Sequence, residues 1–329
     1  MRQQQFEAEN QALWDEIANL MDDLRHPQGR RQMTLSEQLR FPAYYRQLCS
    51  HYALARSRGF SPALIEQLHS LVLRGHSLLY RQQGGWRWRI LNFVASGFPG
   101  AVRRNRAYLA LSLLFFLVPG LLMGLGTYLE EDLIYTLVDE VTVAEMETSY
   151  DPENQRIGRS LERSSETDFT MFGFYILNNI GIGFRTFASG IIFGVGTLFI
   201  LLFNGLVIGG IAGHLTRLGY HDTFWPFVSG HGSFELTAIV ICGAAGLLLG
   251  RAVIAPGQRS RVQALKEHAQ EALQLVLGAA LMLLVAAFIE AFWSSMLIEP
   301  MSKYIVAALL WVTVICYLLL AGRGIRGSR

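Results

Sequence analysis

The chain has 329 residues, of which 51% are hydrophobic and only 16% charged, and its formal net charge is +2. Soluble domains carry about a quarter charged residues, so this composition excludes a disordered chain and argues against a pair of ordinary soluble domains. The small net charge hides a division: residues 1–106 hold 15 Arg against 8 acidic residues, 129–170 hold 3 Arg against 12, and 171–329 hold 10 basic against 6.

A basic head, an acidic loop and an apolar remainder predict an all-α polytopic membrane protein with a helical cytoplasmic N-terminal domain over residues 1–105. Within that head, Gln5–Leu24 places Phe6, Leu13, Trp14, Ile17 and Leu20 near one stripe of a helix. Ser36–Arg58 reads as a second helix. Gly59-Phe60-Ser61-Pro62 is a stop and restart, with Ser61 a natural N-cap and Pro62 at the first helical position of Pro62–Tyr80. Trp86-Arg-Trp-Arg-Ile-Leu-Asn-Phe-Val suits an interfacial helix near 86–97 with its rings at headgroup level, or a further core helix of a small bundle.

The first stretch able to cross a bilayer, which needs roughly twenty apolar residues, is Tyr108–Leu129. Arg103, Arg104 and Arg106 precede it and Glu130, Glu131 and Asp132 follow, so the positive-inside rule keeps the head in the cytoplasm and puts the acidic loop 130–170 outside. That loop reads as irregular, with one helix near Leu133–Glu147. Residues 1–20 are polar and form no cleavable signal peptide, which leaves membrane insertion to the first span. Arg185 then divides an apolar region into Met171–Phe184 and Phe187–Leu215. Phe224–Gly230 is a short aromatic piece broken at Pro226, and Gly232–Ile254, Ala272–Met296 and Tyr304–Ala321 complete the spans.

Parity sets the count. If Met171–Phe184 crosses, the basic loop 255–268 and the tail with Arg323, Arg326 and Arg329 fall inside with the head. Charge bias thus favours six crossings with both termini cytoplasmic. Met171–Phe184 is short and carries Asn178 and Asn179, so a five-span form with a re-entrant elbow stays open.

Polar residues inside the apolar half are costly without partners and therefore informative. His231 and Glu235 lie four apart at the head of one span, and Glu290 lies well inside the next. Asn178, Asn179 and Asn204 add amides. Three readings compete for this cluster: a hydrogen-bonded knot holding helices together, an ion or proton site of a transporter or channel, and a metal site with His231, Glu235 and Glu290 as ligands, belonging to an intramembrane metal-dependent enzyme. The HxxxE spacing lacks the general-base Glu of HExxH, and Gly230-His-Gly-Ser233-Phe lacks the last Gly of a nucleophile elbow. There is no Walker A motif and no zinc-spaced Cys/His set, so no cofactor is implied and a non-enzymatic role is the expectation. Cys49, Cys242 and Cys316 are widely spaced and read as free buried thiols. The scattered arginines of the head point to anionic lipid, with no nucleic-acid partner.

Glycines recur at the spacing that lets helices approach closely: Gly205, Gly209 and Gly213, with Gly190/Gly194 and Gly246/Gly250 repeating it. They serve packing within one protomer or a homo-oligomer interface.

Phe174-Tyr-Ile-Leu-Asn-Asn179, the Gly190–Gly196 turn, Leu201-Leu-Phe-Asn204-Gly, His231-Gly-x-x-Glu235-Leu and Phe288-Ile-Glu290-Ala-Phe occur in the order expected of the stage II sporulation protein M family, which this apolar half resembles. The head is similar to the N-terminal part of longer bacterial members through Tyr44-Tyr-Arg46, Ala53-Leu-Ala-Arg56, Leu68–Tyr80 with His76, and Phe98-Pro-x-x-Val-Arg103. The resemblance implies an integral protein of the bacterial inner membrane. The founding group scaffolds cell-wall-degrading partners at the septal membrane during engulfment, whereas this chain adds a large head and a long acidic loop to the compact sporulation form. The resulting expectation is a membrane scaffold or anchor for an envelope complex, with envelope partners and self-association. The alternative is a transporter or channel using the His/Glu cluster.

Overall fold

The computed structural model describes residues 3–25, 35–79, 86–153 and 164–323. Arg326, Arg329 and the stretch 154–163 of the acidic loop lie outside the described residues. Among those described there is no strand, and the chain divides into two compact units, Met1–Trp88 and Arg89–Arg329.

The first unit contains α1 (Gln3–Arg25), α2 (Leu35–Ser57) and α3 (Pro62–Leu79). The stripe read on α1 turns inward: Phe6, Trp14, Ile17 and Met21 are buried against Phe41 and Leu48 of α2 and Leu64, Leu68 and Leu71 of α3. Leu13 and Leu20 flank that core. Gly59 takes a left-handed φ of 63°, which ends α2. Ser61 Oγ then accepts from the Leu64 N–H at 3.4 Å, the cap expected from the sequence. Gln3 clamps this turn to the start of α1, since its amide donates to Ser61 Oγ and its oxygen accepts from the Ser61 N–H, both at 2.8 Å. Trp14 Nε1 donates to His51 Nδ1 at 3.1 Å, which requires the neutral ring with its proton on Nε2. Burial lowers the His51 pKa, in keeping with that tautomer.

Helix α4 (Trp86–Asn92) carries exposed Trp86, Trp88, Ile90 and Leu91, and a π-helical stretch, Phe93–Gly97, leads on to α5 (Phe98–Arg104). The contacts divide at Trp88/Arg89, short of the boundary at 105 expected from the sequence. The reason is apolar burial: Phe98, Ala101 and Val102 sit in the core of the second unit with Leu275, Ala279 and Leu318. The second unit then runs through α6 (Arg106–Leu129), α7 (Glu140–Tyr150), α8 (Ser165–Ala188), α9 (Val195–Arg217), α10 (His221–Ile254), α11 (Arg261–Phe288) and α12 (Pro300–Leu320). Among the described residues, five helices are long and apolar enough to cross a membrane: α6, α9, α10, α11 with its π-helical continuation to Ser294, and α12.

Two elements differ from the sequence reading. Phe224–Gly230 and Gly232–Ile254 form one helix that runs through Pro226: the Asp222 carbonyl loses its helical donor, while Phe224 and Phe227 hold the turn by packing with Tyr150 and Leu215. Met171–Phe184 is part of a longer unbroken helix: a capping box of Ser164 and Thr167 starts α8 ahead of the apolar stretch. At 24 residues α8 is about 36 Å long, the length of a bilayer core, but it is not among the five helices that are also apolar enough to cross.

The register of the glycines fixes the relative direction of two helices. Gly120 of α6 lies against Gly205 and Gly209 of α9, and Gly124 against Gly209 and Gly213, so both numbers rise together and the two helices run parallel. A chain that leaves α6 at its far end and begins α9 at the near end has to return between them. Among the described residues α8 is the long helix available for that return. At the other end of the unit, Arg103 donates to the carbonyls of Leu318 and Ala321, both at 2.7 Å, and Tyr317 Oη donates to the Val94 carbonyl at 2.6 Å. The last helix thus finishes beside the entrance to the first.

A Cβ on Gly209 would overlap the Gly120 carbonyl oxygen, and one on Gly213 the Gly124 carbonyl oxygen. Gly190 and Gly246 approach equally closely, and Gly194, with φ 74°, lies against Gly250. Each of these glycines therefore meets a neighbour in its own chain. Hydroxyls join the same seams: Thr127 Oγ1 donates to the Gly210 carbonyl at 2.9 Å and Ser112 Oγ to the Val240 carbonyl at 2.7 Å. α10 is the central helix, buried without interruption from Ala238 to Gly250.

The acidic segment is built as a short 3-10 turn (Glu131–Thr136) followed by α7, which Asp139 caps by accepting from the Thr142 N–H at 3.0 Å. One helix near Leu133–Glu147 was expected; the break falls at residues 137–139, where the Asp139 cap restarts the chain. Ile134, Val138 and Val143 bury against Val207 and Ile211, and Glu147 Oε1 meets His214 Nε2 of α9 at 2.7 Å. The three cysteines are unpaired as expected, although only Cys242 is buried; Cys316 is exposed and Cys49 lies between.

Candidate functional site

The scarce polar residues of the apolar half meet at the end of the second unit that receives the acidic segment. Near the start of α10, His231 and Glu235 project from one face, and His231 Nε2 lies 4.0 Å from Glu235 Oε2. Across from them, α11 passes into the π-helical turn Ile289–Ser294, which carries Glu290 and Ser294. Such turns insert an extra residue and redirect side chains, and they are frequent at functional sites. One ligand atom each of His231, Glu235 and Glu290 falls within 4.8 Å of the others. Helix α8 supplies amides: Asn179 Nδ2 lies 3.5 Å from Glu290 Oε2, and Asn178 Nδ2 donates to Asn179 Oδ1 at 3.2 Å.

A second layer holds these groups in place. His231 Nδ1 is 3.1 Å from Ser294 Oγ, and the Ser294 carbonyl accepts from Lys303 Nζ at 2.7 Å. Lys303, at the start of α12, is only 3% exposed. Trp311 Nε1 donates to the Ser229 carbonyl at 3.2 Å and ties α12 to α10. Small residues make room: Ala287 and Ala291 lie under Tyr175 of α8.

The lid of the cluster comes from the acidic segment. Tyr150, the last residue of α7, is buried edge-on against Phe224 and Phe227, with ring centroids 5.2 and 5.6 Å away. Phe227 in turn stands edge-on to His231 at 5.5 Å. Thr223 Oγ1 donates to the Tyr150 carbonyl and pins the end of α7 to the start of α10. Burial raises the Tyr150 pKa well above the ordinary phenol value, so this residue is a neutral hydroxyl.

Of the residues singled out in the sequence, His231, Glu235, Glu290, Asn178 and Asn179 come together. Asn204 does not join them: its amide donates to the Ile200 carbonyl of its own helix at 2.8 Å. The glycines build the seams of the scaffold around the site. Ser294, Lys303, Tyr150 and Tyr175 were missed. Ser294 had a signal, lying four residues beyond Glu290, and Lys303 is one of only two lysines in the chain. Nothing in the sequence marks Tyr150.

Chemically, an imidazole and two carboxylates this close in an apolar setting need positive charge between them, a proton or a cation. Together with the apolar helices this defines an all-α polytopic membrane protein with a buried His–Glu–Glu cluster. The model of the Stage II sporulation protein M (SpoIIM) family matches residues 110–295, more than half of the chain. The chain belongs to that family. A second model, a domain of unknown function (DUF8413), matches residues 4–81, the helices of the first unit. No curated protein and no solved structure matches.

Proposed function

We propose that this chain is an ion-handling protein of the bacterial inner membrane, which holds and passes a proton or small cation at His231, Glu235 and Glu290. The observation that carries the reading is the convergence of those three ligand atoms within 4.8 Å, from two different helices. Ionisable groups placed in a membrane are expensive and mark ion or proton pathways. With the arginine-rich face inside, both termini are cytoplasmic, and the cluster lies toward the outer surface beneath Tyr150. Purified full-length chain in liposomes carries a proton or cation flux, and Glu290→Gln abolishes it. A wild-type protein with no flux for any small cation overturns the reading.

A second reading is favoured by a different observation. The first unit has its own aromatic core and its own family match, as a docking module would. In this reading the protein anchors an envelope complex and self-associates, with the first unit and the acidic segment as its contact surfaces. Crosslinking in native membranes recovers partners or a second copy through both regions if it is right, and the chain alone if it is wrong.

A further inference from the structure

We propose that the cluster is a divalent metal site, in which His231 Nε2 and one carboxylate oxygen each of Glu235 and Glu290 bind a single Zn²⁺ ion. The inference rests on the ion-handling reading above and names the ion.

Three features of the geometry support it. The donor set is mixed, one imidazole nitrogen with two carboxylates. That suits a borderline ion such as zinc better than Mg²⁺ or Ca²⁺, which prefer oxygen donors alone and more of them. Three protein ligands leave one position open, as in zinc sites that act on a water or a passing ligand. The observed separations, up to 4.8 Å, exceed the ~3.3 Å between donors around a zinc ion with bonds of ~2.0–2.1 Å. Small rotations of the two glutamates close that difference, since both sit on long side chains.

The second layer is also that of a metal site. A ligating histidine donates its other ring N–H to an oxygen that fixes the tautomer and the plane of the ring. With zinc on Nε2, Nδ1 carries the proton and donates to Ser294 Oγ at 3.1 Å. Ser294 is itself anchored through its carbonyl by Lys303. Asn179 reaches Glu290 Oε2 and orients that carboxylate. The aromatic wall of Tyr150, Phe224 and Phe227 excludes bulk water from the imidazole side.

The test is titration of untagged full-length protein in detergent with ZnCl₂, MnCl₂ and MgCl₂, followed calorimetrically and by metal analysis after dialysis. The expected result is one Zn²⁺ per chain with no Mg²⁺ uptake. Glu290→Gln and Glu235→Gln should each lose the site, and Ser294→Ala should weaken it about 10–100-fold, as outer-shell changes do. Thermal unfolding of each variant without metal identifies any that fail to fold. Ser294→Ala, which removes only a hydroxyl, keeps the test usable if both glutamine variants do. Zinc binding that is absent, or unchanged in every folded variant, overturns the proposal. Proton flux without zinc binding overturns it while sparing the ion-handling reading. Zinc binding without flux supports it and removes the transport role instead.

Discussion

The two compact units differ in what they turn outward and in what fills their seams. In the first, the largest side chains are inside: Trp14, Ile17, Met21, Leu48 and Leu68 are fully buried. In the second, leucines such as Leu114, Leu121, Leu122, Leu277 and Leu309 face outward. Its interior still buries Phe227, Leu201, Leu215, Ile239, Ile241 and Leu275, but sets them among Ala238, Ala244, Ala245, Ala272, Ala279, Ala286 and Ala287, with glycines at the seams. Water drives the first arrangement by expelling apolar surface. Lipid is as apolar as leucine and offers no such drive, so close backbone approach and Ser/Thr hydrogen bonds hold the second together. The outward leucines of the membrane unit thus say little about its contacts, and its small and polar residues say more.

Substitutions that separate the two modes should differ in size and in reach. The largest effect is expected at the seam. Gly209→Leu drives a side chain into the Gly120 backbone, which costs more than the ~1–3 kcal/mol of ordinary overpacking. It should leave little folded protein in membrane extracts, whereas Gly173→Ala, with open space around it, should express normally. Next is Leu68→Ala, a large-to-small change in the head core worth about 2–5 kcal/mol. Hydrogen exchange should speed up across α1–α3 and stay unchanged in α6, α9 and α10. If Leu68→Ala loosened both units equally, the two modes would not be independent.

A smaller effect depends on pH. The His51 pKa is lowered in the folded protein by burial, so below pH 6.5 the unfolded chain binds a proton that the folded one resists. The unfolded state then holds more protons, and the stability of the head falls as pH drops through and below 6.5. Exchange in α1 and α2 should accelerate between pH 7 and 5, and His51→Phe should flatten that dependence. The smallest effect is expected at Leu121→Ala, on the outward face of α6, which should change stability by no more than about 0.5 kcal/mol. A large loss there would instead point to a protein partner on that face.

Much of this was legible in the sequence, for reasons that can be located. Hydropathy found the spans because lipid demands long apolar runs, and scarcity of charge found His231, Glu235 and Glu290 because each is expensive where it stands. Parity of charge along the chain favoured six traverses; five helices are long and apolar enough among the described residues, and α6 and α9 run parallel. Pro226 misled because a proline removes one backbone donor from a helix without always breaking it, as Pro119 within α6 and Pro42 within α2 also show. Asn204 misled because a side chain in an apolar helix is able to satisfy itself on its own backbone. Tyr150 was out of reach, since its role depends on α7 folding back over α10. The π-helical turn at Glu290 leaves no compositional trace either.

The central claim is that the His231–Glu235–Glu290 cluster serves ions and is more than a knot holding helices together. Glu290→Gln decides between the two when thermal unfolding in detergent and flux in liposomes are measured on the same preparation. The ion-handling account predicts that the variant unfolds within a few degrees of the wild type and carries no flux. A variant that no longer folds, while the wild type carries no flux, would contradict it and leave the cluster a structural knot.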